Sequence, residues 1–137
     1  EVRSIDACSW DVICSPAAFW TGILYDETSL NKSYELMNDW TNEERLYLNL
    51  NVPKFGLNTK FRNKTVLDIS IKLLEISNQG LKNRNILFSN KKYDETYYLK
   101  NIKENLKNGK SPADYLLDKY YNNWNKSVKP IYKELIF

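Results

Sequence analysis

The chain has 137 residues, 42% of them apolar and 27% charged, with 20 basic and 17 acidic side chains, a net charge of +3 and no histidine. This length suits one domain or one piece of a larger one, and the near-balance of charge gives no basic field of the kind that nucleic acid or an anionic membrane would call for. Without histidine, His-ligated zinc and His-assisted serine or cysteine catalysis are excluded from this stretch.

Residues 1–6, Glu-Val-Arg-Ser-Ile-Asp, read as a strand. Strand side chains alternate, so Glu1 and Arg3 share a face. A carboxylate suits Mg²⁺ and a guanidinium suits a phosphoryl oxygen. The same pair on an exposed strand can equally be a surface ion pair. The chain opens on Glu1 and its one methionine is Met37, so it reads as a fragment or a processed product that begins inside an active site. Asp6 and Asp11 fit turn caps. Cys8 and Cys14 stand six apart with no secretory signal ahead of them; they are expected to be unlinked thiols, with a local disulfide or a redox pair as alternatives.

Ser15-Pro16 reads as N-cap and first residue of a helix reaching about Tyr25, apolar on most sides and so central to the core. At ten residues, this longest apolar run is too short to span a membrane. Ser29 reads as the cap of a second helix carrying Leu30, Tyr34 and Met37. Thr41 with Glu44 forms a capping box for a short helix ending before Pro53. Residues 52–63 read as loop. Thr65 with Asp68 opens the clearest helix, striped by Val66, Ile69, Leu73 and Ile76, with Gly80 just past its end. Residues 82–93 read as a polar loop. A helix with Leu99, Ile102 and Leu106 stops at Gly109. Ser111-Pro112 with Asp114 starts another, expected to bury Leu116, Leu117, Tyr120 and Tyr121. The tail, 127–137, is amphipathic. The pattern predicts at least five helices, with 16–25 and 66–77 among the most buried segments and only residues 1–6 extended. Trp10, Trp20, Trp40 and Trp124 read as packing residues. The Tyr-Lys mixtures at 91–103 and 115–126 are too acidic overall to act as a stacking surface for nucleic acid.

Taken together, EVRSIDACSWDVICSPAAFWTGILYD, DWTNEER, VPKFGLNTKFRNKTVLDI, GKSPADYLLDKY and NNWNKSVKPIYKELIF resemble, in order and spacing, the C-terminal region of glutamate–cysteine ligase of the plant and Gram-negative type. Asn125 stands where that pattern leads one to expect glycine, and the 82–93 loop is unusual for it. The resemblance implies ATP-dependent ligation of L-glutamate to L-cysteine through an acyl phosphate, in the cytoplasm, with ATP and Mg²⁺ required. It implies a mainly α fragment of an α+β enzyme: residues 1–137 as one C-terminal portion, a single strand and then helices packed behind a glutamine-synthetase-like antiparallel sheet supplied mostly by the missing N-terminal part. Glu1 then matches a Mg²⁺ ligand and Arg3 a residue contacting the transferred phosphoryl group. A related carboxylate–amine ligase with another amine, and a stand-alone helical interaction module, are the alternative readings; neither nucleic acid nor membrane is expected as a partner.

Overall fold

The computed structural model describes residues 10–88 and 92–135, the side chains of Trp10 and Asp11 excepted. Among these residues the fold is mostly helical: α1 Trp10–Leu24, α2 Glu27–Met37, α3 Asn42–Phe55, α4 Val66–Arg84, α5 Lys100–Lys107, α6 Pro112–Asn122 and α7 Ile131–Glu134. The strand expected over residues 1–6 lies outside the described residues.

The first helix begins at Trp10, so Pro16 sits inside it and does not open it. The helix is positioned by its crossing with α4, where small residues let two backbones meet. A Cβ added to Gly80 would lie 1.8 Å from the Gly22 carbonyl oxygen, and one added to Gly22 would lie 2.2 Å from that of Ser77. The Ser77 hydroxyl donates to the Phe19 carbonyl at 2.8 Å across this crossing. Gly80 is therefore a packing residue in the middle of α4, not its end. The C-terminal stop is Asn85, left-handed at φ 53°, whose N–H reaches the carbonyls of Leu81 and Lys82; asparagine tolerates that conformation.

Helix α2 is capped by Asp26, which accepts from the Ser29 N–H at 2.8 Å. Ser29 is buried inside the helix instead, and its hydroxyl donates to the Ile76 carbonyl of α4 at 3.1 Å. The expected boxes at Thr41/Glu44, Thr65/Asp68 and Ser111/Asp114 all form. Helix α3 runs through Pro53 to Phe55 and ends at Gly56, φ 53°. The stretch read as loop then contains a small antiparallel hairpin, β1 Lys60–Phe61 with β2 Lys64–Thr65, turned by Arg62 at φ 52°. The expectation of extended backbone only in residues 1–6 is corrected by this hairpin; two-residue strands carry no alternation to read.

Ala18, Leu74, Leu81, Leu99 and Leu106 form the core between α1, α4 and α5, with Leu81 and Leu99 almost wholly enclosed. The two segments expected to be most buried contribute Ala18 and Ile23, and Ile69, Leu74, Ile76 and Ser77. Yet α1 is buried on one side only: Trp20, Leu24 and Tyr25 stay exposed. Helix α6 buries none of its residues fully, and Leu117 and Tyr121 face solvent against expectation. A corner follows it. Asn125 and Lys126 take φ 48° and 60°, which accounts for glycine being expected at 125. Trp124, 6% exposed, donates from Nε1 to the Glu134 carboxylate at 2.8 Å, and Lys119 donates to the other oxygen of that carboxylate.

Candidate functional site

Glu1 and Arg3, the two proposed site residues, lie outside the described residues, as do Asp6 and Cys8. Cys14 is a half-buried free thiol on α1, in keeping with the expectation for it. Among the described residues no three His, Cys, Asp or Glu side chains are grouped as a metal site requires.

The densest polar constellation is elsewhere. It joins the DWTNEER segment, at the start of α3, to the β1–β2 hairpin. The left-handed Arg62 aims its guanidinium back at α3: Nη1 to the Asp39 carboxylate at 2.7 Å, Nη2 to the Asp39 carbonyl at 3.1 Å, Nε and Nη2 to the two Glu44 oxygens at 2.7 and 2.8 Å. Glu44 also accepts from the Thr41 N–H at 2.9 Å, completing the capping box. Beneath the charges Trp40 packs on Phe61, ring centres 4.8 Å apart, and Arg45 lies over Trp40 while donating to the Met37 carbonyl. The Arg62 hydrogen bonds hold the Glu44 carboxyl down at about 2. The same two carboxylates push the guanidinium of Arg62 upward.

Arg62, Asp39 and Glu44 pair their charges with one another. Arg62 thus spends most of its donors on the two carboxylates, and both Glu44 oxygens are already engaged. The constellation is a latch that fixes the hairpin to α3. Sequence reasoning did not single out Arg62, because its partners stand 18 and 23 residues away and nothing local marks them.

Two open grooves flank α4. One, of about 410 Å³ against α2, is edged by Lys32, Glu35, Lys72 and Glu75; the other, of about 280 Å³ against α5, has Leu74 and Leu106 in its floor and Lys103 at its rim. Lys103 donates to Asn78 at 2.7 Å, and partial burial lowers its pKa. Neither groove assembles a nucleophile with a base, or an anion cradle.

Comparison with known proteins shows the family. Residues 1–134 match the family described as Glutamate-cysteine ligase family 2 (GCS2). All 137 residues align at 38% identity with glutamate–cysteine ligase A, chloroplastic, of Oryza sativa subsp. indica, and with the chloroplastic enzyme of Solanum lycopersicum; the Arabidopsis thaliana relative is 35% identical. The chain spans about a quarter of the length of these relatives (26%, 25% and 25%). The relatives are named chloroplastic, which overturns the cytoplasmic expectation. No helix among the described residues is long and apolar enough to cross a membrane. The chain belongs to the glutamate–cysteine ligase family.

Proposed function

We propose that this chain is part of an ATP-dependent ligase that joins the γ-carboxyl of L-glutamate to the amine of L-cysteine, giving γ-glutamylcysteine, the first step of glutathione synthesis. The observation that carries the reading is the family match over residues 1–134, with relatives of that name aligned along the whole chain. In the proposed reaction the γ-carboxylate attacks the terminal phosphorus of ATP and ADP leaves. The cysteine amine then attacks the acyl carbon, and phosphate and a proton are released. Activation of a poor electrophile followed by positioning is the logic of such a ligase.

The described residues contribute no carboxylate cluster for Mg²⁺, so the metal and nucleotide would be held by Glu1, Arg3 and groups from the other three quarters of the enzyme. Glu1 would supply one oxygen ligand to Mg²⁺, and Arg3 a planar fork toward the phosphoryl oxygens. The helical body would buttress a curved antiparallel sheet related to that of glutamine synthetase, with Glu1 and Arg3 on one of its strands. Residues 1–137 alone hold too few of these groups for turnover.

The test is product analysis with the full-length protein, glutamate, ATP, Mg²⁺ and a panel of amines. γ-Glutamylcysteine and ADP formed in equal amounts, with cysteine strongly preferred, supports the reading. Ligation to a different amine would reassign the substrate, and ATP-independent behaviour with every amine would reject the ligase.

A further inference from the structure

Helix α1 carries no charged side chain from Val12 to Leu24. A helix apolar all round is ordinarily buried all round. Here one side, with Ser15, Ala18, Gly22 and Ile23, is enclosed, while Ile13, Ala17, Trp20 and Leu24 form an exposed stripe at i, i+4, i+7 and i+11, with Ile13, Trp20 and Leu24 at 41%, 38% and 50%. At 1.5 Å per residue the stripe is about 16 Å long.

We infer that this stripe is the face on which the segment docks against the catalytic body of its own enzyme, the portion corresponding to the three quarters of the relatives that lie beyond the match. The inference rests on the reading of the chain as part of a larger ligase. Three observations favour this occupant. The relatives carry the additional length. The stripe lies on the first described helix and begins ten residues after Arg3, so a partner seated on it is close along the chain to the proposed site residues. A second copy fits poorly, because a stable interface needs about 800 Å² and some twenty residues from each partner, far more than one four-residue stripe. Contact with α1 is apolar and uncharged, so the partner surface is a matching apolar one.

The experiment uses the full-length protein with cysteines placed at Ala17 and, as an exposed control on α2, at Asn31. Maleimide labelling is read at each position by peptide mass mapping, and γ-glutamylcysteine formation is assayed on the same preparations. Ala17→Cys should label at least 10-fold more slowly than Asn31→Cys, at a rate independent of protein concentration. Equal rates overturn the docking face, whatever the activity. Protection that is lost on dilution also overturns it, by assigning the stripe to a second copy. Protection without ligase activity upholds the docking and rejects the proposed reaction. Trp20→Gln should expose the Ala17 position to labelling while leaving the helical circular dichroism unchanged; protection that survives this change counts against the stripe as the contact.

Discussion

Replacing Gly80 by alanine should destabilise the protein, although an alanine inside a helix is ordinarily favoured over glycine by about 1 kcal/mol. The reason is the crossing with α1. The new methyl would stand 1.8 Å from the Gly22 carbonyl oxygen and 2.8 Å from the Ser29 hydroxyl, and a Cβ scarcely ever approaches a heavy atom closer than 3.0 Å. Helix α1 must therefore withdraw by more than an ångström. That movement stretches the Ser77 to Phe19 hydrogen bond, now 2.8 Å, beyond use. The wholly buried Ser77 hydroxyl, left without its acceptor, costs roughly 1–3 kcal/mol. The same movement opens a gap along Ala18 and Leu81, and a gap of 0.5–1 Å already forfeits a quarter to a half of a contact's attraction. Against the propensity gain, the net is a loss on the order of 3 kcal/mol, or a fall in Tm of roughly 10 °C for a domain of this size. Calorimetry or denaturant unfolding of Gly80→Ala beside the parent reads it directly. An unchanged or raised Tm would refute the crossing as described.

Two further outcomes follow from the latch and the corner. Glu44 titrates at about 2 in the folded state against an ordinary 4.5, so its pairing with Arg62 contributes stability above the ordinary value and loses it as pH falls toward 2. Arg62→Ala should therefore be less stable than the parent at neutral pH and converge with it between about pH 4.5 and 2; urea unfolding across that range should show the convergence, and parallel curves would dismiss the latch. At the corner, Glu134→Gln removes a carboxylate that both Trp124 and Lys119 reach. The 124–135 segment should then exchange amide hydrogens faster while α1 and α4 are unaffected; uniform protection would show that the carboxylate does not hold the corner.

The caps were legible because their signals are local. Thr41 with Glu44, Thr65 with Asp68, and Ser111-Pro112 with Asp114 each satisfy helix N–H groups within three residues. Pro16, Ser29 and Gly80 look like punctuation in the sequence, yet Ser29 and Gly80 are contact devices between helices, and Pro16 is carried within one. Ser29 bonds a carbonyl 47 residues away, and Gly80 makes room for a backbone 58 positions earlier. Such partners have no periodicity, so they are visible only once the helices are packed. A helix apolar on most sides, as α1 is, predicts burial all round, and only half of that demand is met among the described residues: Trp20, Leu24 and Tyr25 stay exposed. At the candidate site the residue types Glu1 and Arg3 suggested metal and phosphate from alternation alone, and the family resemblance gave that suggestion its direction. Arg62, by contrast, is joined to Asp39 and Glu44 only by the fold.

The most direct test of the proposed function is steady-state kinetics of Glu1→Gln and Arg3→Lys in the full-length protein across a Mg²⁺ titration, with melting curves on the same preparations. Glu1→Gln keeps size and removes one negative charge from the metal; Arg3→Lys keeps charge and loses the two-pronged grip. Each should lower kcat by on the order of 10²-fold, as losing one preorganised transition-state contact does. Tm should hardly change, and high Mg²⁺ should ease the Glu1→Gln defect by mass action. Nearly full activity in both variants, with at most ~1 kcal/mol of lost stability, is the behaviour of a surface ion pair and would contradict the account.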